Sequence, residues 1–230
     1  MRFRALAAVA LLAAATAGCN TDSTTTCCSL GGTPSLRIVN GFPGPVDIFI
    51  DDVIAASAVS AGAIDTLGPQ PGSHTLVMRP AGSGTPITQQ FAAVSGALST
   101  IAAVRSSSGT ISAAVLDDTN DVVPAGATKL RVIHLAPNAG TLQVYRTQPD
   151  YQTPIAWQFP FNYQDNPTSL SAPFLQSTVG TWEVHIWQTP ADSSGWSTAP
   201  VKVQVPLASG EKRTILILDQ VGGGVRIQII

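Results

Sequence analysis

The feature that most constrains this fold is a text that occurs twice. Leu36-Arg37-Ile38-Val39 is answered by Leu130-Arg131-Val132-Ile133, and Val46-Asp47-Ile48-Phe49 by Leu142-Gln143-Val144-Tyr145. Further along, GSHTLVM from Gly72 matches GTWEVHI from Gly180, and SGALSTIAAV from Ser95 matches SGEKRTILIL from Ser209. GTISAAVL from Gly109 matches GGVRIQII from Gly223. Matches that keep their order through both halves are the mark of a tandem duplication. The chain of 230 residues is therefore read as two domains of about 100 residues each.

Within each unit the segments are short, alternate apolar with polar, and favour Val, Ile, Leu and Thr. Gly, Pro, Asn or Ser separates them. This spacing predicts strands near 36–40, 46–51, 63–67, 73–79, 86–92, 99–105 and 110–116 in the first unit. In the second it predicts 130–134, 141–146, 154–160, 168–172, 181–187, 200–206, 212–219 and 224–230. The expected fold class is all-β, with two tandem immunoglobulin-like antiparallel β-sandwiches at 36–118 and 129–230 joined by a linker at 119–128. Composition agrees. Charged residues are 11% of the chain, against roughly 25% in an average soluble domain, which leaves little material for salt-bridged helices.

The N-terminus reads as an address. Arg2 and Arg4 precede an apolar run from Ala5 to Ala15, and small residues follow. That is the pattern of a secretory signal peptide over 1–18, and the run is shorter than the roughly 20 residues a membrane-spanning helix needs. Thr16-Ala17-Gly18-Cys19 resembles the bacterial lipobox. The resemblance implies a lipoprotein whose Cys19 thiol receives a diacylglyceryl group and whose acyl chains, palmitate among them, anchor the mature chain. Each buried CH₂ contributes about 0.8 kcal/mol to such an anchor. Asn20 follows the Cys where the enterobacterial sorting rule uses Asp for retention. The expected location is thus the cell envelope, at the outer membrane or bacterial surface rather than the inner membrane. Residues 19–35 then form a flexible Ser/Thr-rich tether. For the adjacent Cys27 and Cys28 the alternatives are a strained vicinal disulfide, pairing with another chain, or free thiols.

Loss of Arg2 and Arg4 with the signal takes the basic residues from 12 to 10 against 14 acidic ones. Lys and Arg are scattered singly, so no footprint for nucleic acid exists.

The opening of the second unit, Leu130 to Tyr145, with its sister from Leu36, resembles a bacterial family known as domain of unknown function 4397. The likeness lies in a strand, His134, Ala136 and Pro137, then a turn and a second strand. The first unit keeps Pro43 and has Asn40 and Phe42 at the other two places. The resemblance implies secreted or lipid-anchored chains with the domain in tandem, and no known activity.

Catalytic signals are absent from the text. His134 at a strand end invites a mechanism, but a lone His has no nucleophile or orienting acid, and Asn40 holds its place in the first unit. Asn and His can both hydrogen-bond turn backbone, so His134 is expected to tie its turn down. Arg37 and Arg131 are expected to flank strands or meet a neighbouring carboxylate. Glu183 and His185 alternate on one strand beside Trp187 and would share a face, too few ligands for a metal site. Gly222–Gly224 reads as a turn rather than a phosphate loop. Asp117, Asp118, Asn120 and Asp121 between the units resemble the acidic linker of cadherin repeats and are weak calcium candidates, with a solvated linker as the plainer reading.

The two units differ most in aromatic residues. Arg146 to Gly180 spans 34 residues where Ile50 to Gly72 spans 22. The extra text carries Tyr151, Trp157 and Tyr163, and Trp187 and Trp196 follow. These rings are either core or a ligand or partner surface. The functional expectation is a lipid-anchored envelope protein of unknown specific role that acts as a non-catalytic interaction or structural module. It needs no cofactor, reaches the membrane through its lipid, and meets an envelope protein or glycan. The alternative is a carbohydrate-binding or adhesion module using the aromatic insertion, and hydrolysis ranks last.

Overall fold

The computed structural model describes residues 32–81, 85–105, 108–118, 122–147, 154–161, 174–188, 201–220 and 222–230. The first half holds β1 (Ser35–Asn40), β2 (Val46–Ile50), β3 (Val53–Val59), β4 (Ile64–Leu67), β5 (Gly72–Pro80), β6 (Ile87–Ala93), β7 (Leu98–Arg105) and β8 (Ile111–Asp117). The second holds β9 (Thr128–Leu135), β10 (Leu142–Thr147), β11 (Pro154–Phe161), β12 (Leu175–Ser177), β13 (Gly180–Gln188), β14 (Val201–Leu207), β15 (Lys212–Asp219) and β16 (Val225–Ile229). A single turn of 3-10 helix, Pro137–Ala139, lies between β9 and β10.

Each half is a β-sandwich of two four-stranded sheets. The orders are β4-β1-β7-β8 and β3-β2-β5-β6 in the first, and β12-β9-β15-β16 and β11-β10-β13-β14 in the second. The two halves thus carry one strand order, element for element. Pairing is antiparallel except where β1 lies parallel to β7 and β9 parallel to β15. The antiparallel sandwiches expected from the sequence are found, with these two parallel pairs as the exceptions. Parallel neighbours need a long crossover, and here five strands, β2 to β6, intervene before the chain returns beside β1. Side-chain alternation reports which face a residue occupies and carries no information on strand direction, so the sequence held no sign of this.

The expected strands have counterparts, with two qualifications. The segment expected at 168–172 lies outside the described residues, and β12 is found at Leu175–Ser177. β3 was not expected. Its text, Val53-Ile54-Ala55-Ala56-Ser57-Ala58-Val59, has Ser57 as its one polar residue and lacks period-two alternation. It forms because the turn before it is favourable: Asp51 (φ 50°) and Asp52 (φ 64°) both take the left-handed region, as a two-residue hairpin loop of this hand requires. Asp51 is held there by the backbone N–H of Thr75, which donates to its Oδ1 at 2.9 Å.

Each sandwich has its own core. Leu36, Ile38, Val46, Ile48, Leu76, Met78 and Ile101 close the first, and Leu130, Val132, Leu142, Val144, Val184, Ile186 and Ile215 the second. A third cluster joins them. Val39, Ala102, Val104, Ala114 and Leu116 of the first half pack against Ile133, Leu135, Leu216 and Leu218 of the second. The β1-β7-β8 face of one sandwich is therefore docked on the β9-β15 face of the other. The result is four layers, with the two inner sheets buried on both sides. Burial of both faces turns alternation into continuous apolar runs, as in Ile215-Leu216-Ile217-Leu218, which are all fully buried.

The docked faces are complementary in size. Positions that match in the two halves carry Val39 and Ile133, Ala102 and Leu216, Val104 and Leu218, with small residues in the first half and larger ones in the second. Gly41 takes this furthest. A Cβ added there would lie 2.7 Å from Leu218 Cδ2 and 2.8 Å from the Ala103 carbonyl oxygen. Leu135 holds the matching place in the second half and is buried in the interface.

Candidate functional site

Polar groups gather at two places along this junction. At one, Arg131 from β9 reaches back to the first half. Its side chain is 2% exposed and pairs with the Asp118 carboxylate just past β8. Its Nε donates to Thr214 Oγ1 at 2.8 Å, and its guanidinium lies 4.2 Å from the centre of the Phe174 ring. Thr100 Oγ1 donates to the second oxygen of Asp118, and Lys212 Nζ to its backbone carbonyl. A buried guanidinium needs a charge partner and filled donors, and this arrangement supplies both. Asp118 is thereby the carboxylate that Arg131 was expected to meet. Asn120 and Asp121, grouped with it as calcium candidates, lie outside the described residues, as does the side chain of Asp117.

At the other place the junction opens into a cleft of about 330 Å³ lined by Pro43, Arg105, Asn138, Asp219, Gln220, Gly222, Gly223 and Gly224. Pro43 and Arg105 come from the first half and the rest from the second. Asp219 ends β15 and is only 4% exposed. Its Oδ2 accepts a hydrogen bond from Asn138 Nδ2 at 2.8 Å and faces Arg105 Nε at 3.8 Å. Its Oδ1 has no hydrogen-bond partner among the described residues. Arg105 also stands over the Phe42 ring, 5.9 Å from its centre. The far wall is the turn between β15 and β16. Gly222, Gly223 and Gly224 take φ of 89°, 109° and 79°, a conformation that side chains rarely adopt, and each faces open space. At these three positions the lining is bare backbone.

The floor beside the cleft is the turn after β9. Here His134 is fully buried, and the backbone N–H of Ala136 donates to its Nδ1 at 3.2 Å. With Nδ1 accepting, Nε2 carries the proton and donates to the Gly140 carbonyl at 2.8 Å. Burial pushes the imidazole below its usual range, while the Gly140 hydrogen bond and the nearby Asp219 charge pull the other way. His134 is therefore a neutral clamp on its own turn.

Of the remaining sequence candidates, Glu183 and His185 do come together: His185 Nε2 lies 2.9 Å from Glu183 Oε1, with His185 buried. Among the described residues no group of three or more His, Cys, Asp and Glu could hold a metal ion. Trp157 and Trp187 sit on β11 and β13 by their backbone, and their side chains lie outside the described residues. Tyr151, Tyr163, Trp196 and Cys19 lie outside them altogether. Arg105 and Asp219 were not singled out in advance. The signal was present: they end the matching runs TIAAVR and TILILD, so one strand position carries opposite charges in the two halves.

Fold and site together define an all-β protein of two face-to-face sandwiches with a polar cleft at their junction. Residues 34–145 match the model of the family described as Domain of unknown function (DUF4397), which supports that domain family for this segment. The match takes in the whole first sandwich and β9 with most of β10. No curated protein matches the chain. Among the described residues no helix is long and apolar enough to cross a membrane.

Proposed function

We propose that the chain is a lipid-anchored bacterial envelope protein in which two tandem copies of one domain form a non-catalytic interaction module. The observation that carries this reading is the docking of the sandwiches through their inner sheets. It makes one rigid scaffold of strands and leaves the turns at its ends as the surface free to meet a partner. The signal-like N-terminus, the lipobox-like Thr16-Ala17-Gly18-Cys19 and the Ser/Thr-rich tether support an envelope location, at the outer membrane or cell surface. The matched strand text of the two halves supports the tandem reading. The partner is an envelope protein or a glycan.

Metabolic labelling with palmitate tests the anchor. The wild-type chain should be labelled and sediment with membranes, and Cys19→Ala should be unlabelled. A wild-type chain without label ends the lipoprotein reading. Crosslinking in intact cells tests the module. A discrete adduct that disappears in a chain whose sandwiches cannot dock supports it, and no adduct at any turn counts against it.

A further inference from the structure

The geometry points to the junction cleft as a binding site for a neutral saccharide. This rests on the interaction-module reading and gives that module a ligand class. Its chemistry follows from the lining. Arg105 and Asp219 face each other at 3.8 Å, so the cleft brings one positive and one negative charge and no net charge. An anion would meet the Asp219 carboxylate and a cation the Arg105 guanidinium, so the attraction of a charged ligand to one is offset by repulsion from the other. A neutral ligand that both donates and accepts is what such a surface fits.

The remaining groups narrow the class. The amides of Asn138 and Gln220 each offer a donor and an acceptor, as sugar hydroxyls do. Asp219 is 4% exposed, with Oδ2 held by Asn138 and Oδ1 without a hydrogen-bond partner among the described residues. A buried carboxylate oxygen left without a donor costs free energy, and a ligand hydroxyl supplies one. The three glycines keep Cβ atoms away from the opposite wall, so a ring can approach the backbone. Pro43 adds an apolar patch for the C–H face of such a ring. The volume of about 330 Å³ suits one or two sugar rings and falls at the lower end of ordinary ligand sites. The acceptors and donors are also preorganised, since Arg105 is braced on Phe42 and Asp219 on Asn138. Neither half forms the cleft alone, so the site exists only in the docked pair.

The test is saturation-transfer NMR on the full chain in detergent micelles. The probes are glucose, galactose, N-acetylglucosamine and their β-linked disaccharides, with glucuronic acid and a neutral tetrapeptide as contrasts. At least one neutral sugar should bind, and Gln220→Ala and Asn138→Ala should each weaken it about tenfold, the size of one lost hydrogen bond to a partly buried site. Gly223→Val should abolish binding by filling the open wall. Gln220 is exposed, so its variant should melt as the wild type does and separates lost binding from lost folding. Absence of neutral-sugar binding overturns the proposal, as does a preference for glucuronic acid or the peptide. Sugar binding that survives all three variants and is lost in Trp187→Ala places the ligand on the aromatic insertion and also overturns it. Palmitate labelling and crosslinking are read independently, so the module can stand while the cleft falls.

Discussion

Asn40 and His134 close the same turn with different chemistry. The N–H of Phe42 donates to Asn40 Oδ1 at 3.0 Å, and the N–H of Ala136 donates to His134 Nδ1 at 3.2 Å, each two residues ahead. On the far side Asn40 Nδ2 donates to the Gly44 carbonyl at 2.8 Å and His134 Nε2 to the Gly140 carbonyl at the same distance. Both side chains set one acceptor and one donor in nearly the same arrangement, and the amide's second N–H donates to the Val59 carbonyl at 2.7 Å. The residue that looked most like a catalyst is the counterpart of a structural amide.

That equivalence predicts a substitution pattern. His134→Ala leaves the Ala136 N–H and the Gly140 carbonyl without partners and should cost about 2–4 kcal/mol. His134→Asn should recover a large part of this, because Asn performs the task in the first half. Urea unfolding of the two variants decides it. Equal losses would mean that the bonds do not matter and only the ring volume does.

His74 in the first half and His134 in the second should give opposite pH dependences. His74 Nδ1 lies 2.6 Å from Asp51 Oδ2 and its Nε2 lies 2.7 Å from the Gln70 carbonyl. The Asp51 hydrogen bond, then that to Gln70, raises it above the ordinary 6.5. Its contribution is fully present below 6.5 and is lost as pH rises through the raised folded value. His134 is lowered, chiefly by burial, so its contribution is present above 6.5 and is lost as pH falls below that towards the folded value. His74→Gln should flatten the alkaline side of a plot of urea midpoint against pH, and His134→Asn the acid side. The reverse assignment would show that the signs are wrong.

The buried ion pair across the junction predicts a non-additive double variant. Arg131 and Asp118 have side chains 2% and 9% exposed. Arg131→Leu alone strands the Asp118 carboxylate and should cost about 3–5 kcal/mol. Adding Asp118→Leu removes the stranded charge and should return stability to within about 1–2 kcal/mol of the wild type. Thermal unfolding of the four chains measures the coupling. Simple addition of the two losses would mean that the pair does not act as a unit.

Gly41 sets the closeness of the two sandwiches. Gly41→Ala places a methyl against Leu218 and the Ala103 carbonyl and should cost about 1–3 kcal/mol. Leu218→Ala opens a cavity and should cost about 2–5 kcal/mol by itself. Combined, the losses should sum to less than their total, because the new methyl occupies space that Leu218 gave up. Additivity within about 0.5 kcal/mol would show that the two sites do not share that space.

Much of this was legible from short-range pattern. The strands came from period-two alternation, and the matched halves from ordered repetition. What escaped is what alternation does not encode. β3 holds one polar residue, Ser57, and no apolar–polar alternation, and at the edge of its sheet it leaves Val53 and Ile54 exposed. The parallel β1–β7 pair is a matter of direction. The docking of the halves was written in the continuous runs Ile101 to Val104 and Ile215 to Leu218, whose second face needed a cover that one sandwich lacks. The cleft was hardest, because Arg105 and Asp219 belong to different halves and face each other only where the halves dock.

The unequal sizes at the junction decide which halves can pair. Were two first halves from neighbouring chains to meet by this face, Ala102 and Gly41 would confront their own kind and leave voids. Were two second halves to meet, Leu216, Leu218 and Leu135 would collide. Only a first half against a second half fills the space, and its nearest such partner is always on its own chain. The unequal strands make the pairing private, so that neighbouring chains can crowd together without exchanging halves.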